Sequence, residues 1–138
     1  TDPNINPHYI RPAMLQQRLQ KIMDEYVGGV GTWYMTSKYM LEEGFYYLGL
    51  LKEDSYHMCA ENLHELLRAW ENFHRILAGE AHARHIHFRE ETRYPGYYYR
   101  GDHLGIDDEN WKCFVNSTYD KESGEWDIFK REYHQLVP

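Results

Sequence analysis

The feature that most constrains the fold is an apolar stripe running down the middle of the chain. Leu63, Leu66, Leu67, Trp70, Phe73, Leu77, Ala81 and Phe88 recur at a near-3.6 spacing, with Glu61, Glu65, Arg68, Glu71 and Arg75 on the other side. The pattern predicts one long helix from about Tyr56 to Glu91. At 1.5 Å per residue such a helix is about 50 Å long, more than the shorter helices before it can cover. Part of it must meet something else: the C-terminal segment, another domain or another subunit.

The shorter helices are legible too. Pro12 suits a first helical turn, and Leu15, Leu19, Ile22, Met23 and Tyr26 form a stripe, so a helix is expected over about Pro12 to Tyr26. Gly28-Gly29-Val30-Gly31 reads as its stop and as a helix–helix link. A phosphate cradle would need a preceding strand and a Gly-x-Gly-x-x-Gly or Walker pattern, and neither is present. A second helix is expected from about Thr32 or Tyr34 to Lys52, burying Tyr39 or Met40, Tyr47, Leu50 and Leu51. Asp54 or Ser55 is then the expected N-cap of the third.

Beyond the helices the pattern changes to β. Lys112 to Tyr119 and Glu125 to Lys130 carry β-branched and aromatic residues around Asp120-Lys121-Glu122-Ser123-Gly124, which predicts a hairpin. Asp107-Asp108-Glu109 reads as the acidic first turn of a short helix. The expected architecture is mainly α: an antiparallel three-helix bundle with one long helix, an irregular segment and a C-terminal β-hairpin. Residues 1–11 read as linker and 12–138 as one domain, with helices over 12–91, the irregular segment over 92–110, and hairpin and tail over 111–138.

Composition narrows the function. The 138 residues carry a formal charge of −7, with basic residues interspersed among acids, which argues against a nucleic-acid partner. No apolar run is long enough for a transmembrane helix. Cys59 and Cys113 stand in unlike contexts and form neither a redox pair nor a zinc pattern, so a reduced, cytoplasmic setting is expected. The start, with two prolines in seven residues and no Met, reads as a linker in an excised domain or a processed protein.

The densest mixture of reactive side chains lies in Gly79 to Trp111, which breaks at Tyr94-Pro95-Gly96. His82, His85 and His87 suggest metal ligands, but at 100° per residue His85 lies about 60° from His82 and His87 about 140° away. Only two share a face, and zinc would need further ligands. Glu61 with His64 and Glu71 with His74 have di-iron spacing, yet both pairs fall on one helix about 80° out of phase. No nucleophile elbow appears and neither cysteine sits in a nucleophile motif. No catalytic, cofactor-binding or metal residue is therefore assigned to this chain.

Arg89-Glu90-Glu91-Thr92-Arg93, Arg100-Gly101-Asp102 and Asp107-Asp108-Glu109-Asn110-Trp111 together resemble the C-terminal helical domain of the fumarate reductase/succinate dehydrogenase flavoprotein family. That family's pattern is Arg-x-Glu-Ser-Arg-Gly-x-His, then Arg-x-Asp, a proline-containing link and Asp-Asp-x-x-Trp. Thr92 replaces the Ser, Tyr94-Pro95-Gly96 replaces the Gly-x-His portion, and Gly105 stands near the usual proline. Those departures resemble one branch, the alpha subunits of dissimilatory adenylylsulfate reductases. Arg93 to Tyr97, Trp111 to Asn116, Leu19 to Val30, Leu63 to Arg75 and Gly124 to Trp126 share in the similarity.

The resemblance implies a parent oxidoreductase of sulfur metabolism that interconverts adenylylsulfate with sulfite and AMP. FAD would lie in the same alpha subunit, in FAD-binding and capping domains N-terminal to this region. Two [4Fe–4S] clusters would lie in a partner beta subunit. For this chain it implies a bracing role, with Arg89, Glu91, Arg93, Arg100, Asp102 and Trp111 as interdomain or interface residues. Two alternatives stay open: the same domain in another flavoprotein of the superfamily, or a free-standing helical module for metal binding or protein interaction.

Overall fold

The computed structural model describes residues 8–94 and 97–134. The expected Pro95-Gly96 break, the first seven residues of the expected linker and the last four of the tail lie outside them. Helix α1 spans Pro12–Tyr26, with Pro12 in its first turn. Its end is the glycine stop: Gly28 has φ +88°, a left-handed conformation that costs glycine no Cβ clash. A 3-10 turn follows at Val30–Thr32. The chain then forms a two-residue strand β1, Met35–Thr36, before α2, Lys38–Ser55.

Helix α2 starts later than expected because residues 30–36 are spent on the turn and strand, and Ser37 is the N-cap that accepts from the Met40 N–H. Its buried face also differs from expectation. Leu41, Gly44, Leu48 and Leu51 face the core, whereas Tyr39, Tyr47 and Leu50 are exposed. Close packing favours the small and aliphatic face: a Cβ on Gly44 would meet the Tyr26 Cβ at 3.0 Å.

The long helix α3 spans Leu63–Phe88, shorter than the sequence pattern suggested. Asp54 and Ser55 belong to the end of α2 rather than capping α3. The intervening chain pairs with the segment just before α1: the Ile10 N–H donates to the His57 carbonyl at 2.9 Å, and the Cys59 N–H to the Ile10 carbonyl at 3.0 Å. That bridge uses backbone groups a helix would need for itself. Asn62 then caps α3, accepting from the Glu65 N–H at 3.0 Å, while Glu65 reaches back to the Glu61 N–H.

Three helices pack into a bundle. Arg18 of α1 pairs with Asp54 and Tyr26 stacks on Tyr47, so α1 and α2 run antiparallel. Arg84 lies over Phe45 and Phe73 against Tyr56, which makes α3 antiparallel to α2. The core holds Leu15, Leu19, Val27, Leu41, Leu48, Leu51, Ala69, Ile76, Ala83 and Ile86. On α3 the buried positions are Ala69, Asn72, Ile76, Gly79, Ala83 and Ile86, not the leucine stripe. Small residues win because α1 comes close: a Cβ on Gly79 would sit 3.0 Å from the Met23 sulfur.

In the C-terminal part the short helix and the hairpin appear as expected, while the segment expected to be irregular also holds a two-residue strand. After β2, Tyr99–Arg100, comes the single-turn helix α4, Asp108–Trp111, capped by Asp107. Strands β3, Cys113–Tyr119, and β4, Trp126–Glu132, form an antiparallel hairpin in which Cys113 faces Glu132 and Tyr119 faces Trp126. Two strands alone are marginal in water. This pair leans on the bundle through His85 to Ser117 at 2.9 Å and Lys52 to the Tyr119 hydroxyl at 3.0 Å. Among the described residues no helix is long and apolar enough to cross a membrane.

Candidate functional site: the charged joint

Five of the six residues singled out by sequence form two charge clusters at the C-terminal end of α3, and the sixth closes one of them. Glu91 is fully buried, and its carboxylate is bonded from several sides. Arg89 donates to Oε1, Arg93 donates to Oε1 at 2.7 Å and to Oε2 at 3.0 Å, and the Asp107 N–H donates to Oε2 at 3.0 Å. Burial pushes the Glu91 carboxyl up, but bonds from Arg93, the Asp107 amide and Arg89 outweigh it and hold the group below its ordinary value. Arg93 also reaches Asp108 at 2.8 Å. Its guanidinium is driven up, chiefly by the bond to Glu91.

Arg89 ties this cluster to the hairpin. It donates to the Trp111 carbonyl at 2.9 Å and to the Cys113 carbonyl at 2.7 Å. Trp111 is buried edge-on against Phe88 at 5.7 Å, with the Lys130 ammonium 3.6 Å from its ring centre. The indole therefore sits between the end of α3 and β4. A cation on an aromatic face gains about 0.5–1 kcal/mol where it is exposed, as Lys130 is, and about 2 kcal/mol or more where it is desolvated.

The second cluster joins two helix ends. Arg100, fully buried, donates to the carbonyls of Ile86, His87 at 3.1 Å and Arg89 at 3.0 Å. Those are carbonyls the end of α3 leaves without an intrahelical partner, and the positive charge suits the negative end of the helix dipole. The other edge of the guanidinium makes a two-bond fork to Asp102, at 2.9 and 2.8 Å. Asp102 in turn accepts from the Lys38 N–H at 3.1 Å, at the positive start of α2. One ion pair thus satisfies the C-terminus of one helix and the N-terminus of the next. The Arg100 bonds, then the Lys38 amide, hold the Asp102 carboxyl far below the usual carboxylate range.

Sequence reasoning missed the threonines that frame this pair. Thr92 Oγ1 accepts from the Arg100 N–H at 2.9 Å and donates to the His103 carbonyl at 2.8 Å. Serine can make the same two bonds, which explains why Thr92 stands where the family pattern has Ser. Thr36, also buried, donates to the Tyr26 carbonyl at 2.6 Å. It belongs to β1, which pairs in parallel with β2 at Met35 to Tyr99 and Thr36 to Arg100. A two-residue strand has no period to read, so only the retained hydroxyl at Thr92 was a usable signal.

A cavity of about 520 Å³ lies between α3 and the hairpin, walled by His82, His85, Arg89, Arg93, Tyr98 and Phe114 among others. Burial, then the Arg89 charge, holds His85 below its ordinary value, so it favours the neutral ring that bonds Ser117. His87 turns instead toward Glu42 at 3.4 Å. Among the described residues no group of three His, Cys, Asp or Glu could hold a metal ion. Glu61 pairs with Arg11 and Glu71 with Arg68 and Arg75, so neither Glu-x-x-His acid is directed at its histidine.

Neither the glycine turn nor the pair of cysteines offers what a flavin's phosphates or an iron–sulfur cluster needs. The glycine turn follows a helix, and the Asp24 carboxylate accepts from the Gly31 N–H at 2.9 Å, filling with negative charge the place a phosphate would take. A [4Fe–4S] cluster needs four thiolates, and the chain has two cysteines in separate elements.

Comparison with known proteins accords with the resemblance read from the sequence. No protein-family model matches the chain. Over its whole length it is 55% identical to the adenylylsulfate reductase subunit alpha of Megalodesulfovibrio gigas, of which it spans 21%. It superposes over its full length on the structure of adenylylsulfate reductase from the hyperthermophilic Archaeoglobus fulgidus, with a TM-score of 0.94 and 51% identity, covering 22% of that chain. An adenosine-5-phosphosulfate reductase in complex with sulfite as a covalent adduct gives the same values. The Mycobacterium smegmatis Sdh1 complex in the apo form shares the fold at 21% identity and a TM-score of 0.70. The chain is thus similar throughout to about a fifth of an adenylylsulfate reductase alpha subunit.

Proposed function

We propose that this chain is the C-terminal helical domain of an adenylylsulfate reductase alpha subunit, residues 12–138 acting as one domain after a linker. The parent enzyme interconverts adenylylsulfate with sulfite and AMP, two electrons cleaving or forming the sulfur–oxygen bond. FAD belongs to the rest of the alpha subunit, and the electrons come from [4Fe–4S] clusters in a beta subunit of the cytoplasmic enzyme. The observation that carries this reading is 55% identity across all 138 residues, joined to a whole-chain superposition.

In that enzyme the domain braces. Arg89, Glu91, Arg93, Arg100, Asp102 and Trp111 fix the angle between the α3 end, the α2 start and the hairpin, and so fix the surface offered to the flavin-binding and capping domains. Catalysis proceeds in those domains, with no residue of this chain in contact with the reacting atoms.

The experiment is a pair of preparations. This chain alone is expected to bind no flavin and to turn over nothing. Joined to the N-terminal remainder of its subunit, and supplied with the iron–sulfur subunit, it is expected to carry flavin absorption and to release sulfite and AMP from adenylylsulfate. Stoichiometric flavin on the isolated chain would overturn the bracing role. Reduction of fumarate in place of adenylylsulfate would assign the domain to another flavoprotein of the superfamily.

A further inference from the structure

The stripe that dominates the sequence ends up outside the core. Leu63 is 84% exposed, Leu66 45%, Leu67 55% and Trp70 60%. Their spacing places them on adjoining turns of α3, and burial on that helix begins only at Ala69, so the first turns project beyond the bundle. Trp70 continues the ridge to Phe73 at 6.3 Å, and Phe73 to Tyr56, itself 63% exposed, at 5.9 Å. At that end the ridge meets a cavity of about 220 Å³ whose lining includes Tyr56, Phe73, Ile76 and Leu77 together with Lys52 and Glu80.

We propose that this ridge and socket form the docking face for the remainder of the same polypeptide, which presents an apolar helix with one large aliphatic or aromatic side chain in the socket. The inference rests on the reading of the chain as one domain of a longer subunit, and deepens it by locating the contact. Three observations select this occupant. The flanking charges are already matched, Arg11 to Glu61 and Arg68 and Arg75 to Glu71, so the face asks for an apolar rather than an ionic guest. About four fifths of the relatives' length lies outside this chain, which spans 21% and 22% of them. A ridge of six side chains is small beside the about 20–30 residues a side that a stable free association uses. A tether removes that deficit, because an attached segment docks at high effective concentration. Trp70 and Tyr56, beside the pocket, are of the residue types in which interface energy concentrates.

The test is native-state thiol labelling in the full-length subunit, comparing Leu67→Cys with Lys121→Cys in the hairpin turn. The proposal expects Leu67→Cys to react at least about tenfold more slowly than Lys121→Cys in the folded subunit, with equal rates in urea. Equal native rates overturn it. Protection that appears only when the iron–sulfur subunit is added, or only as the concentration of the alpha subunit rises, overturns it in favour of that partner or of a second copy. Flavin content and adenylylsulfate turnover of the same preparation separate the two readings. Flavin and turnover with fast labelling defeat the docking face alone, whereas slow labelling without flavin supports it and defeats the flavoprotein assignment.

Discussion

The joint at the end of α3 and the ridge at its beginning invert the usual distribution of side chains. At one end Glu91 and Arg100 are wholly buried; at the other, three leucines and a tryptophan are exposed. The inversion is physically consistent at the joint. Glu91 meets two guanidiniums and one amide, and Arg100 meets a carboxylate and three carbonyls, the condition under which ions tolerate a low dielectric. At the ridge, no described residue covers the apolar side chains enough to bury them. A polar core complete in itself and an apolar surface left incomplete teach that polarity alone does not say which side chains face inward.

The largest effect should come from breaking the joint. Arg100→Ala leaves the carbonyls of Ile86, His87 and Arg89 and the Asp102 carboxylate without their shared partner. Removing one member of a buried pair costs about 3–5 kcal/mol. Urea unfolding of the variant should show that loss, and a change under about 1 kcal/mol would mean that water replaces the guanidinium at little cost. Next comes Ile76→Ala in the middle of α3, buried and between the two regions. It should cost about 2–5 kcal/mol by the same measurement.

A smaller effect is expected from Asp102→Asn, which keeps the shape and removes the charge facing Arg100 and the Lys38 amide. Charge-assisted bonds of this kind are worth about 1.5–3 kcal/mol. The pH dependence gives an independent check. Folded Glu91 and Asp102 both titrate below their unfolded values, so their stabilisation is whole above the unfolded carboxylate range, about pH 4. It is lost as pH falls from that range through the depressed folded values. The urea midpoint should decline on acidification from about pH 5, and Asp102→Asn should flatten that decline. An unchanged acid limb in the variant would show that Asp102 does not contribute to it.

What could be read in advance follows from the range of each interaction. Helix α1, the hairpin and α4 rest on local signals, namely Pro12, the Gly28 stop, the turn after Tyr119 and the acids before Trp111, and they appear where expected. The start of α3 was misplaced because Ile10 pairs with residues 57–59, a contact invisible to local pattern. Asn62 followed three residues later by Glu65 was a capping signal in plain view, obscured by the strength of the leucine stripe. The family resemblance singles out the six residues, and the structure adds the two charge clusters they form. Their bonding was not legible, since a charge pattern does not reveal that Arg100 closes the end of a helix it is not part of.

The ridge should yield the smallest effect on this chain, and that smallness is the informative result. Leu67→Ser removes an apolar side chain from the same helix as Ile76, at a position whose side of the helix faces solvent. If no part of the chain packs on it, unfolding of the 138-residue chain should shift by no more than about 0.5 kcal/mol, the range for surface substitutions. Helix propensity works slightly against serine and sets a floor of a few tenths of a kcal/mol, which Leu67→Ala would remove. The two variants together therefore separate propensity from packing. A loss above about 1 kcal/mol in both would mean that Leu67 is covered by the chain itself, and the contrast between joint and ridge would collapse. A negligible loss in this chain, set against a marked loss in the full-length subunit, would make the contrast sharper: the joint stabilises the domain, while the ridge stabilises its attachment.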